Sequence, residues 1–259
     1  MAASLLSISP APTAASATHV DGSPITSGER FDDPPFDVSS IRVSAPTPVC
    51  ELDLNALKGE VRRVSWSPDN AFIHVRTVED RAVPHDYIVS LEDREVSLAF
   101  GEPAWGSAYW ARKSDLAAPG VPSLRMEITE SNRRTRPAPF SGGFANGGAQ
   151  TPDVKNPVDA YESEITLRLL GVEIGNWING APMAGETFGW GPDGSAALVF
   201  VDRTGRLVFI GGDKHTRIVA GVKGAWMPAW SSDGTRVAFL QKAGRRKYRL
   251  LTADLTRSR

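Results

Sequence analysis

The chain has 259 residues, of which 41% are hydrophobic and 23% charged, with a formal net charge of −1 at pH 7. That balance describes a globular protein with a sizeable core, and it excludes the strongly basic footprint of a nucleic-acid or membrane-surface binder. Cys50 is the single cysteine, which excludes an intrachain disulfide and leaves the thiol to be read as a small buried hydrophobe.

Met1 to Ala17 is rich in Ala, Ser and Pro and closes on Ala15-Ser16-Ala17. The closing triplet is a small-x-small pattern like an export cleavage site, without the basic start and long apolar stretch of a secretory signal. Residues 1–40 are therefore expected to be a disordered or targeting segment. The protein is expected to be periplasmic or secreted, with the cytoplasm as the other location. No stretch is apolar for long enough to cross a membrane as a helix.

Order is expected from Ile41, with alternating strands at Ile41–Ser44 and Val49–Leu54. A short phrase then recurs four times: Val64-Ser65-Trp66-Ser67-Pro68-Asp69-Asn70, Pro103-Ala104-Trp105-Gly106, Phe188-Gly189-Trp190-Gly191-Pro192-Asp193-Gly194 and Pro228-Ala229-Trp230-Ser231-Ser232-Asp233-Gly234. Its tryptophans stand at 66, 105, 190 and 230, giving gaps of 39, 85 and 40 residues. A period near forty, with a Trp and an Asp-Gly type of turn, is the length of a propeller blade.

The first unit reads as four strands between about residues 60 and 100, with the turn at Ser67–Asn70 joining the first two. The second opens at Pro103 and departs: Ser107–Ser114 has the composition of a helical turn or two, Leu124–Ile128 looks like a strand, and 131–158 reads as a flexible insertion. Strands resume at Glu164–Leu170, and the units at 188–220 and 228–253 follow the pattern again. The last unit is one strand short, and the strands between Ile41 and Leu54 are available to complete it, which would hide an exposed edge. The expected fold is thus all-β: a β-propeller over 41–259 of about four to five four-stranded blades, closed by an N-terminal strand or left incomplete.

The segment Pro228–Phe239 resembles the repeat of TolB-like, WD40-like bacterial β-propellers, and 64–77 and 188–201 are weaker copies. TolB carries a separate N-terminal domain for which residues 1–40 leave no room, so its role in envelope assembly is not carried over. Related propellers also precede the hydrolase domain of prolyl-oligopeptidase-type peptidases, but no Gly-x-Ser-x-Gly elbow is present.

Candidate functional residues are few. Asp69, Asp193 and Asp233 recur at one turn position, where each is read as a cap for nearby backbone amides, since a calcium site needs several oxygen ligands together. The histidines 19, 74, 85 and 215 have no metal-ligand spacing, although His74 and His85 stand on neighbouring strands and would need a third ligand to hold zinc. Trp110, Trp177 and Trp226 lie outside the phrase and are the candidate exposed binding aromatics. Arg245, Arg246 and Lys247 form a basic cluster, and Arg133 and Arg134 a second one, each read as solvated charge or as contact to an anionic partner. Gly142–Gly148 is not a phosphate loop. No catalytic, cofactor or metal residue is assigned.

The expected function is a non-enzymatic binding scaffold that displays loops to a protein or glycan partner, with no nucleic-acid partner, as a monomer or a self-completing oligomer. The alternatives are a hydrolase or lyase using a central propeller pocket, and a degenerate propeller related to the prolyl-oligopeptidase type without its catalytic domain.

Overall fold

Alternation and turn chemistry produce an all-β architecture with one helix. The computed structural model describes residues 38–79, 82–113, 115–135, 160–178, 187–219 and 221–257. All belong to the unit that spans 34–259. In chain order, a 3-10 turn at Val38–Ser40 leads into β1 (Ile41–Val43) and β2 (Thr47–Asp53), then β3 (Glu60–Trp66), β4 (Phe72–Val78), β5 (Pro84–Ser90) and β6 (Val96–Ala99). Helix α1 (Ala104–Lys113) comes next, then β7 (Ala117–Ala118), β8 (Val121–Arg125), β9 (Glu127–Thr135), β10 (Ala160–Leu169) and β11 (Val172–Ile178). The chain finishes with β12 (Phe188–Trp190), β13 (Ala197–Val201), β14 (Leu207–Gly211), β15 (Thr216–Ile218), β16 (Ala225–Trp230), β17 (Arg236–Gly244) and β18 (Lys247–Arg257).

Three copies of the repeated phrase build the same hairpin. Trp66, Trp190 and Trp230 each end a first strand and face Ile73, Leu198 and Val237 across the pair. The next residue closes each turn: Ser67 N donates to Phe72 O at 3.0 Å, Gly191 N to Ala197 O at 2.8 Å and Ser231 N to Arg236 O at 2.9 Å. Asn70, Gly194 and Gly234 take the positive φ that the turn requires, at 56°, 78° and 77°. The fourth copy, Pro103–Gly106, is not a strand but the start of α1. It is succeeded by a run of helix-compatible residues instead of an Asp-Gly turn.

The strands form antiparallel sheets in the orders β3-β4-β5-β6, β11-β10-β9, β12-β13-β14-β15 and β16-β17-β18, plus the small pair β7-β8. β18 also receives β2 along Lys247–Thr252 and β1 along Leu255–Arg257. Two hydrogen bonds stitch the gap between them, Ser44 N to Asp254 O at 2.9 Å and Asp254 N to Ser44 Oγ at 2.9 Å. Pro48, which has no N–H to give, stands where the register shifts. The strands expected to complete the last sheet therefore pair with it. Val38 is fully buried, so order begins before residue 41. β9 runs through Thr135, so the expected insertion at 131–158 begins as paired strand; residues 136–159, and 1–37, lie outside the described residues.

Three buried apolar clusters lie between sheets. Leu167, Leu169 and Ile174 meet Phe188, Trp190 and Leu198. Val199 and Phe209 meet Trp230, Val237 and Phe239. Ala238, Leu240 and Leu250 meet Trp66, Ile73 and Val75. Strands β13 and β17 feed a cluster on each face and read as continuous apolar runs, whereas β4 alternates apolar with polar residues and feeds only one. Close approach of neighbouring sheets has a sequence cause at Gly189, where a Cβ would lie 3.0 Å from the Pro228 carbonyl oxygen.

Gly59 turns the chain into β3 at φ +85°, and a Cβ there would fall 2.4 Å from the Val78 carbonyl. Gly59→Ala is expected to destabilise the fold by about 2 kcal/mol, from left-handed strain and backbone overlap together. The urea midpoint measures it, and an unchanged midpoint would refute the tight turn.

Candidate functional site

The polar face of the first sheet holds a cluster of ionisable groups, His74, Arg76, Asp86 and Glu102, and α1 lies over His74. The helix starts where the Pro103 carbonyl accepts from the amides of Gly106 at 2.8 Å and Ser107 at 3.2 Å. Arg112 and Lys113 stand in its last turn, where cations suit the helix dipole. At Gly106 the missing side chain matters, since a Cβ would lie 2.8 Å from His74 Nδ1. Trp105 sets its ring edge-on to His74, with centroids 5.9 Å apart. Arg63 places its guanidinium 5.3 Å from the Trp110 ring centroid.

Beneath the helix, His74 Nε2 donates to Asp86 Oδ1 at 2.8 Å. Arg76 Nε lies 3.5 Å from the same oxygen. Its Nη1 donates to Glu102 Oε2, while Arg63 Nη1 donates to Glu102 Oε1 at 3.1 Å. Burial works to raise the Glu102 pKa, but the Arg76 and Arg63 guanidiniums outweigh it and hold the carboxyl below its ordinary value. Burial pushes His74 down, against the opposing pull of Asp86 and Glu102 and with a small push from Arg76. The neutral imidazole then donates from Nε2, and its Nδ1 has no hydrogen-bond partner.

Ser65 stands directly opposite His74, and its Oγ is also without a partner. Ser65, His74 and Asp86 thus share one face in the residue types of an acyl-transfer triad. In this arrangement the hydroxyl makes no bond to the imidazole, and Ser65 and His74 are fully buried. The cluster instead holds the helix on the sheet.

A pH dependence arises from the depressed His74 pKa. As pH falls, the unfolded chain takes up the proton first, near 6.5, while the folded imidazole resists it. Stability from this group is therefore complete above that value and is lost as pH falls below it. His74→Gln keeps an N–H donor for Asp86 without the titration. Its urea midpoint is expected to fall less than that of the wild type between about pH 7.5 and about pH 5.5; parallel losses would refute the assignment.

The far end of α1 pins two other sheets. Tyr109 OH donates to the Trp230 carbonyl at 3.0 Å. Lys113, 2% exposed, donates from Nζ to the Gly191 carbonyl and lies 3.4 Å from Asp193 Oδ1. Burial lowers the Lys113 pKa, and Asp193 opposes that. One helix thereby touches β3 through its neighbour Arg63, the end of β16 and the turn after β12.

The residues singled out from sequence are not brought together. Trp110 is buried, 8% exposed, rather than displayed. Trp177 is half-buried, with its ring laid over Gly175 of its own strand. Trp226 is half-buried and tilts against Tyr248 at a centroid distance of 5.3 Å. The cluster at 245–247 is largely neutralised: Arg246 meets Glu60 at 3.0 Å, and Lys247 meets Glu51 at 3.0 Å and Asp53 at 3.5 Å. Arg245 is exposed in the same turn. Arg133 and Arg134 lie on β9.

Two of the turn aspartates act as the sequence implies. Asp69 accepts from Ser67 Oγ at 2.5 Å and the Ala71 amide at 3.1 Å. Asp233 accepts from Ser231 Oγ at 2.7 Å and the Thr235 amide at 3.0 Å. In the third turn Gly191 replaces the serine, and Asp193 is left to face Lys113. His74 and His85 cannot share a metal: His85 stands opposite Thr77, an odd number of residues from His74, so the two side chains leave opposite faces of the sheet. His85 instead lies 3.4 Å from Glu79, and exposed His215 lies 2.8 Å from Asp213. Burial pushes the Cys50 thiol up to about 11, which makes it a poor nucleophile at neutral pH. His19 and Gly142–Gly148 lie outside the described residues.

A groove of about 490 Å³ opens between β11 and β13, lined in part by Glu164, Glu173, Asn176, Asp202 and Arg203. Its charges are engaged already. Arg203 Nε donates to Glu173 at 2.8 Å and Asn176 to Glu164 at 2.6 Å. Asp202 is tied into its own turn by Thr204 and Arg206. Among the described residues no helix is long and apolar enough to cross a membrane.

No family model and no curated protein matches the chain. Among solved structures it is similar to TolB from Acinetobacter baumannii, at 12% identity over 77% of this chain and 44% of that one, with a TM-score of 0.26. It is also similar to a putative TolB from Agrobacterium tumefaciens, at 13% identity over 78% of this chain and 62% of that one, with a TM-score of 0.21. The chain spans less than two thirds of either structure.

Proposed function

We propose that the chain is a non-catalytic binding scaffold of propeller type, periplasmic or secreted, that presents loops and strand ends to a protein or glycan partner. The four main sheets are read as blades, with the strands at Ile41–Asp53 completing the last one. The observation that carries this is α1 itself. Its Tyr109 and Lys113 bond the Trp230 and Gly191 carbonyls, Trp110 meets Arg63, and Trp105 and Gly106 close over His74, which supports reading this cluster as one that holds the sheets in place. Rigid sheets with their loops at the ends are what a display scaffold requires.

The full chain, immobilised and screened against a glycan array and by crosslinking in a periplasmic extract, is expected to capture a specific partner. It is expected to show no labelling by a fluorophosphonate probe. Labelling that disappears in both Ser65→Ala and His74→Gln, with the fold intact, would overturn the scaffold reading in favour of a hydrolase.

A further inference from the structure

We propose that His74 is the latch of an acid-operated switch: when its imidazole takes up a proton, α1 lifts from the β3–β5 face while the sheets stay folded. The imidazole is fully buried, and its two nitrogens have unequal surroundings. Nε2 meets Asp86 Oδ1 at 2.8 Å. Nδ1 has no hydrogen-bond partner, and the Ser65 hydroxyl across the strand pair makes no bond to it. The helix backbone stands over this nitrogen, since a Cβ on Gly106 would lie 2.8 Å from Nδ1. A second proton on the ring has only Nδ1 to occupy. There it becomes a donor pressed against Gly106 with no acceptor, and a buried donor left unmet carries its full desolvation penalty. Lifting α1 lets water meet it.

The charged groups around the ring do not remove this conflict. Asp86 on β5 favours the imidazolium but already accepts from Nε2. Glu102, just ahead of α1, also favours it, yet its two oxygens are taken by Arg63 on β3 and Arg76 on β4. Arg76 opposes it as a like charge. Helix α1 faces the ring with Trp105 and Gly106, neither of them charged. Burial outweighs the two carboxylates, so the seated imidazole is harder to protonate than a free one. The released state therefore binds the proton more readily, and falling pH favours release. A helix of ten residues is too short to persist in water without its packing, so release also melts it. The switch goes beyond the scaffold reading and does not depend on it.

Native-state amide exchange of the full chain, corrected for the intrinsic pH dependence of exchange, tests the proposal. Between about pH 7.5 and about pH 5.5, exchange over 104–113 is expected to accelerate several-fold. The ceiling is about tenfold, set by a released imidazole that titrates near its ordinary 6.5. This exchange is expected to ignore low concentrations of urea, because opening one helix exposes little surface, whereas β13 amides follow the urea dependence of whole-chain unfolding. In His74→Gln the rates over 104–113 are expected to lose their pH dependence, although His85 and His215 still titrate there. Circular dichroism reports whether that variant folds, and the urea dependence of the wild type decides without it. Wild-type exchange over 104–113 that ignores pH, acceleration that tracks urea as β13 does, or a folded His74→Gln that keeps the wild-type acceleration would each overturn the proposal.

Discussion

Trp230→Ala is expected to remove about 3–5 kcal/mol of stability, and the same substitution at Trp105 only about 1 kcal/mol. Trp230 is fully buried, meets Phe209 edge-to-face at 4.8 Å, and packs in the cluster with Val237 and Phe239. Its truncation leaves a cavity at the junction of two sheets that β-strands, fixed by their ladders, collapse into poorly. Trp105 occupies the same place in the repeated phrase but lies half-buried on α1, with its ring roughly perpendicular to that of His74. Urea denaturation with unchanged slope measures both. Equal losses at the two positions would show that the second copy of the phrase is a core strand after all.

Asp86→Ala is expected to cost about 3 kcal/mol, and Asp86→Asn less than half as much. Asp86 is 4% exposed and accepts from His74 while neighbouring Arg76. Alanine strands the His74 Nε2–H in the interior, where Nδ1 already lacks a partner. Asparagine keeps an oxygen in place for that donor and forfeits only the charge opposite Arg76, which Glu102 still neutralises. Because the cluster holds α1, the alanine variant is also expected to expose the helix first. Faster amide exchange over 104–113 than over β13 would record it, and uniform exchange would contradict the holding role.

The residues that sequence reasoning missed are those whose partners are distant in the chain. His74 and Asp86 are twelve residues apart on adjacent strands, and their meeting depends on register, which fixes faces as well as neighbours. The same register separates His74 from His85. The alternation at Phe72–Val78, apolar residues interleaved with His74 and Arg76, was the available signal: it says that one face of this sheet does not pack on another sheet. Ala197–Val201 and Arg236–Leu240, with near-continuous apolar runs, say the opposite, and both are sandwiched.

Local chemistry determined the hairpins at Trp66, Trp190 and Trp230, because each turn is written in its own four or five residues and needs no distant partner. It determined the all-β class and the return of the Ile41–Asp53 segment as the missing edge, since an eleven-residue β18 leaves a row of donors and acceptors to be met. The fate of Pro103–Gly106 was settled by the helix-compatible residues after it and by a tertiary surface, the polar face of β3–β5, that only a helix with a glycine at 106 fits. The burial of Trp110 was settled the same way, as was the capture of Lys113 by a turn 78 residues away. Periodicity records which side of an element is apolar; which element meets that side is a long-range choice, made by the packing of whole sheets.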